Sequence, residues 1–248
     1  MDNRSDKITF MDTSKSDQKD VALQAKNLTK TVTSPEGALT ILDQVSLQVS
    51  RGERIAIIGA SGAGKSTLLG LLAGLDLPTS GQVWLGEHEL TALDEDGRAA
   101  VRANEVGFVF QSFHLIPSLT ALENVMLPLE LAHHESPREA AMKALQNVGL
   151  GKRSGHYPRQ LSGGEKQRVA IARAYVIQPM VLFADEPTGK LDPQTGETVI
   201  EILFQMNKEF GTTLVLVSHD LELAERCDRI IRMEAGHIPT THSEEAPA

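Results

Sequence analysis

One stretch constrains the fold more than any other: GASGAGKS at 59–66. It matches the pattern G-x-x-x-x-G-K-[ST]. It lies between the apolar run RIAII at Arg54–Ile58, which reads as a strand, and KSTLLGLLAG from Lys65, which reads as a helix. Gly59, Gly62 and Gly64 let successive backbone N–H groups turn inward toward phosphate oxygens, with Ala60, Ser61, Ala63 and Thr67 completing the loop and its exit. The helix start adds about half a positive charge. Lys65 is then placed for the β- and γ-phosphates of a nucleoside triphosphate, and the Ser66 hydroxyl for Mg²⁺.

A second apolar run, in VLFADEP at 181–187, ends in Asp185 and Glu186. Carboxylates at a strand's carboxyl end lie at the mouth of a phosphate site in a parallel sheet. Asp185 is the candidate for the Mg²⁺ shell and Glu186 for polarising the attacking water. His219 follows the run TLVLVS and is placed to bond the γ-phosphate and orient that water. Gln111 closes VGFVF, and its amide oxygen completes a candidate metal set of Ser66, Gln111 and Asp185. Taken singly, these are a solvated carboxylate pair, a surface histidine and a polar loop residue. Beside the glycine loop they read as one site.

LSGGEKQR at 161–168 sets the type of site. Ser162 is an N-cap, and Gly163 and Gly164 expose N–H groups at a helix start. One molecule has no use for two distant phosphate-binding surfaces, so the second serves a partner's nucleotide.

Net charge is −9, which argues against a general nucleic-acid binder with a basic face, and aromatics at 4% supply few stacking platforms. The single Cys227 allows no internal disulfide and fits a reducing compartment. No apolar run approaches the roughly 18 residues that span a bilayer, and the first twenty residues lack an apolar signal core. The expected location is cytosolic, with any membrane role left to a separate partner.

Residues 1–20 are polar and mixed in charge, and are expected to be disordered. From Val21 the alternation of Val21, Leu23 and Ala25, then of Val45, Leu47 and Val49, reads as half-buried antiparallel strands joined at SPEGA, 34–38. PTSG at 78–81 reads as a turn before a strand at 82–85. Val106–Phe110, 181–184 and Thr213–Val217 read as buried strands, and 230–233 as a late one. Helical spacing in Leu122, Val125, Met126, Leu129 and Leu131, and again at 139–148 and 164–177, reads as an insertion between two halves of a parallel sheet. A helix at 196–209 completes a strand–helix–strand crossover. The expected class is α/β: a phosphate-loop NTPase with a mixed-sheet core, an antiparallel β subdomain and an inserted all-α subdomain. The core with its β subdomain covers 21–111 and 178–240, the helical part 112–177, and 241–248 is a flexible tail.

The order GASGAGKS, Gln111, LSGGE, LFADE, Leu191 with Asp192, then His219 resembles the ATP-binding-cassette (ABC) ATPases from about residue 21 to 237. The resemblance implies ATP hydrolysis with Mg²⁺ and a head-to-tail homodimer around two ATP. Ser162, Gly163, Gly164 and Asp192 then act in trans. GFVFQSFHLIPSLTALENVMLP and FADEPTGKLDPQTG resemble the lipoprotein-releasing (LolD) and macrolide-exporter (MacB) group. LTKTV, GFVFQSF and CDRIIR resemble its YbbA branch. This implies a peripheral subunit on the cytoplasmic face of the inner membrane. It would drive a permease with a periplasmic domain in export or extraction of a hydrophobic or lipidic substrate, without nucleic acid. Phe113, Leu115, Leu119, Leu122 and Val125 would form the groove for the permease's cytoplasmic helix, or else ordinary core. Two positions depart from the family. Val32 stands where an aromatic stacks on adenine, and Lys190 stands where Asn or a small residue precedes the dimer seam. The alternatives are a soluble cassette ATPase on DNA or ribosomes, and a nucleotide-binding module of low turnover.

Overall fold

The computed structural model describes residues 20–35 and 37–239. The expectations for the N-terminal extension, Asp20 apart, and for the tail lie outside the described residues.

Parallel and antiparallel pairings divide between two sheets. Strands β1 (Val21–Ser34), β2 (Gly37–Ser50), β4 (Ser80–Leu85) and β5 (His88–Glu89) form an antiparallel sheet in the order β2-β1-β4-β5. Strands β3 (Arg54–Ile58), β6 (Val106–Phe110), β7 (Val181–Asp185), β8 (Thr213–Val217) and β9 (Arg229–Arg232) form a parallel sheet in the order β6-β7-β8-β3-β9. The hairpin joining β1 and β2 is tighter than SPEGA suggests, because residues 34, 37 and 38 already pair in the ladder.

The apolar runs of the parallel sheet reflect burial on both faces. Ile55, Ile57, Val181, Phe183, Val215 and Val217 point into one core, and Ala56, Ile58, Leu182, Ala184, Leu214 and Leu216 into the other. This is the two-residue period of a strand, with no polar face to reveal it. The first core lies toward the antiparallel sheet and takes Leu68, Leu69, Leu71 and Leu72 of α1 (Lys65–Leu72). Each such leucine contributes about 1.5–3 kcal/mol when fully buried. The second core is covered by helices.

Helix α2 (Glu95–Glu105) has no counterpart in the sequence reading. Its one buried apolar residue is Val101, so it shows no apolar stripe. Asp94 caps it, accepting from Gly97 N at 2.8 Å, and Glu95 pairs with Arg98 and Arg102. Between β6 and β7 the chain folds into α3 (Ala121–Leu131), α4 (Pro137–Asn147) and α5 (Gly163–Tyr175). Reciprocal capping boxes start α3 at Thr120 with Glu123 and α5 at Ser162 with Glu165. Helix α6 (Pro193–Phe210) is capped by Asp192 and ends at Gly211, in the left-handed conformation at φ 67. The short α7 (Leu221–Ala224) leads into β9.

Candidate phosphate-binding and catalytic site

Parallel strands end on one edge, and the sequence puts its chemistry just past those ends. Gly59 follows β3, Gln111 follows β6, Asp185 ends β7 with Glu186 next, and His219 lies two residues past β8. A cleft of about 660 Å³ opens there. Its lining brings together Gly59, Ser61, Gly62, Gly64, Lys65, Ser66, Thr67, Gln111, Asp185, Glu186 and His219. Ala60 and Ala63 line the adjoining hollow instead, and Ala63 is buried with its N–H on Ala60 O at 3.1 Å.

Helix α1 begins after Gly64 at φ 93, with no side-chain cap and no acidic residue in its first turn. Its first N–H groups are left for an anion. A side chain at Gly64 would also meet Leu42 and the Ile41 carbonyl, so only glycine fits. Lys65 Nζ folds back onto Gly59 O at 2.8 Å and Ala60 O at 3.0 Å, carbonyls that hold the ammonium over the loop.

Ser66 Oγ donates to Asp185 Oδ2 at 3.3 Å. Burial raises the Asp185 pKa above its ordinary value, and the neighbouring Glu186 charge adds to this. The Ser66 hydrogen bond and the Lys65 charge work the other way. Glu186 is gripped from both sides: Gln111 Nε2 donates to Oε2 at 3.2 Å, and His219 Nδ1 lies 3.2 Å from Oε1. Its backbone stands at φ 45, a costly region for a non-glycine residue, and Glu186 N donates to Val217 O at 2.9 Å to hold it there. The His219 side chain is 70% exposed, free to change partner.

Ser162, Gly163, Gly164 and Asp192 are absent from this cleft's lining. Ser162 and Asp192 cap neighbouring helices, at 3.2 Å to Glu165 N and 3.0 Å to Thr195 N. A Cβ on Gly164 would fall inside the Thr195 side chain, so this glycine lets the starts of α5 and α6 touch. Asp192 lines a separate hollow with Glu186 and His219.

Of the two readings left open for Leu122 and Val125, groove or ordinary core, the structure shows core: they are 5% and 0% exposed, because α3 turns that face onto α4 and α5. Phe113, Leu115 and Leu119 are half-buried and stand outside the lining of a separate apolar groove. That groove, of about 380 Å³, is formed by Phe108, Phe110, Leu127, Pro128, Leu131, Arg173 and Ile177 with neighbours from α2. Lys190, the second departure from the family pattern, donates from Nζ to Ser112 Oγ at 2.7 Å, beside Gln111.

Sequence reasoning missed two residues that align the site. Buried Gln167 donates to Phe110 O at 3.3 Å and Pro187 O at 2.6 Å, fixing the backbone beside both Gln111 and Glu186. Arg173 donates to His114 O at 2.7 Å and Phe113 O at 3.2 Å, bracing two consecutive left-handed residues. A glutamine and an arginine within a helix carry no sequence signal for such contacts.

A phosphate-loop nucleotide-binding cassette is what this sheet edge defines. The ABC transporter family model matches residues 42–189, more than half of the chain, and the chain belongs to that family. It is 55% identical over 218 residues to the uncharacterized ABC transporter ATP-binding protein YbbA of Escherichia coli strain K12, covering 87% of this chain and 96% of that one. To the lipoprotein-releasing system ATP-binding protein LolD of Legionella pneumophila strain Paris it is 47% identical, over 88% and 97% of the two chains. Among solved structures it is similar to the MJ0796 cassette dimer in a post-hydrolysis state bound to ADP and Pi. There the TM-score is 0.83 with 40% identity, covering 91% of this chain and 99% of that one. The chain is an ABC ATPase.

Proposed function

We propose that this ATPase is the motor subunit of a LolD/MacB-type transporter, and that two copies close around two ATP, each completing the other's site. What supports the dimer is the split of phosphate-binding surfaces: the capped start of α5 stands outside its own subunit's cleft. The MJ0796 relatives are dimers, one holding ADP and Pi. In this reading Ser162, Gly163, Gly164 and Asp192 contact the partner's nucleotide.

Ser66, Gln111 and Asp185 are oxygen donors that suit Mg²⁺ once phosphate oxygens complete the shell. No cluster of three or more His, Cys, Asp or Glu that would hold a metal alone occurs among the described residues. Bound there, Mg²⁺ would neutralise phosphate charge. The chain's own residues do the rest. Lys65 leaves the Gly59 and Ala60 carbonyls for the phosphates. Gln111 and His219 release Glu186, whose carboxylate takes the proton of the attacking water while His219 orients the terminal phosphate. The single observation that carries this is the Glu186 carboxylate held between Gln111 and His219 at the phosphate edge. Glu186→Gln lowers steady-state turnover by about 10²–10⁴-fold. Parent-like hydrolysis would remove Glu186 from this role.

No helix among the described residues is long and apolar enough to cross a membrane. We assign the permease to the groove of Leu127, Pro128 and Leu131, where Leu131 is 74% exposed and three helices converge. Residues 112–177 then act as the subdomain that carries it, on the cytoplasmic face of the inner membrane. The cargo, hydrophobic or lipidic, is met by the permease.

A further inference from the structure

We infer that Leu39, with Ile41 beside it, holds the base of the nucleotide by aliphatic contact, so that the site accepts purine triphosphates with little choice between them. The inference rests on the cleft being a nucleoside triphosphate site. The lining of that cleft divides by chemistry. Gln111, Asp185, Glu186 and His219 are the polar groups that meet the terminal phosphate, and residues from Gly59 to Thr67 cradle the chain of phosphates. The apolar lining is Leu39, Ile41 and Val217. Val217 is 1% exposed and out of reach, whereas Leu39 is 58% exposed. The nucleoside end of the ligand has an apolar surface to cover, and the β1–β2 hairpin offers one.

That surface is built in advance. Leu39 and the bulge residue Ile41 of β2 both line the cleft, and Val32 pairs across from Leu39. The strand is locked at this point. Asp43 N donates to Gly236 O at 3.0 Å, and added side chains at Gly64 and Gly236 would both strike the Ile41 carbonyl. No aromatic side chain occurs among the described residues lining the cleft. Aliphatic contact responds to apolar area and is blind to the donor and acceptor pattern that separates adenine from guanine. A site that hydrogen-bonds its substrate rejects an analogue lacking that bond by about 10⁴–10⁵-fold; this lining has no side chain placed to do so.

The test is calorimetric binding of MgATP, MgGTP and magnesium tripolyphosphate to the full chain and to Leu39→Ala. Leu39 is largely exposed, so its truncation leaves the fold intact. GTP should bind within about tenfold of ATP. Leu39→Ala should weaken both nucleotides by about three- to tenfold, and leave tripolyphosphate, which has no base, unchanged. Val32→Tyr, adding a ring across from Leu39, should tighten both nucleotides by about 5- to 150-fold, the usual worth of base stacking. ATP preferred over GTP by more than about 100-fold would overturn the proposal, since only a hydrogen-bonding site reaches that range. So would an unchanged ATP affinity in Leu39→Ala, or an equal loss for tripolyphosphate. Failure of all three probes to bind the folded parent would instead bring down the nucleotide reading of the cleft, and this proposal with it.

Discussion

Asp185 ends β7 half-buried, accepting from Ser66, and its raised pKa says that the nucleotide-free fold opposes its charge. Asp185→Asn therefore raises the melting temperature of the nucleotide-free protein, while the stabilisation that MgATP gives the parent is lost. Differential scanning calorimetry with and without MgATP checks both. A variant that melts below the parent without nucleotide would contradict the burial argument. At this scale the sequence names Asp185, Glu186, Gln111 and His219 because each lies at or just past a strand end, and strand ends are legible as apolar runs. Gln167 was not legible. Its role is to bridge Phe110 O and Pro187 O, two carbonyls brought together only by the β6–β7 pairing.

The starts of α5 and α6 form one packed unit, and two substitutions separate packing from ligand contact. Gly164→Ala forces a methyl into Thr195 and should destabilise the protein by about 1–3 kcal/mol. Thr195→Ser, which removes the offending methyl, should restore most of that loss in denaturant unfolding. Without such rescue, the glycine matters for something other than this contact. Ser162→Ala removes the cap of α5 and should cost about 0.5–2 kcal/mol. The capping box also gives a pH signature. The Ser162 backbone N–H bonds the Glu165 carboxylate and lowers its pKa, with the Ser162 hydroxyl and the Arg153 and Arg168 charges in support and burial opposing. A depressed folded pKa means stability present above the ordinary carboxylate range and lost as pH falls through the lowered value. Glu165→Gln should therefore flatten the acid limb of the stability curve relative to the parent. Elements were legible where their pattern is local: the doubly buried strands, α5 and α6. Helix α2 was not, because its stability comes from capping and its Glu95 pairs with Arg98 and Arg102. Groove or core stayed open for Leu122 and Val125 because period alone cannot say which stripe of α3 meets α4 and α5.

At the scale of the whole molecule, one subunit presents a phosphate-edge cleft, a capped α5 start outside that cleft, and an apolar groove. Leu131→Asp places a charge on an exposed position of that groove and should abolish recovery with the membrane fraction while leaving MgATP affinity within about twofold, since rim residues outside a site contribute little to it. Retained membrane association would move the permease contact elsewhere. The central claim is that ATP is buried between two copies of this chain. Sedimentation equilibrium of Glu186→Gln with MgATP, with the bound nucleotide counted, tests it most directly. The account predicts a dimer holding two ATP, reduced to monomer by adding Ser162→Arg to the same chain. A monomer that binds ATP at full stoichiometry and stays monomeric at saturating nucleotide would contradict it.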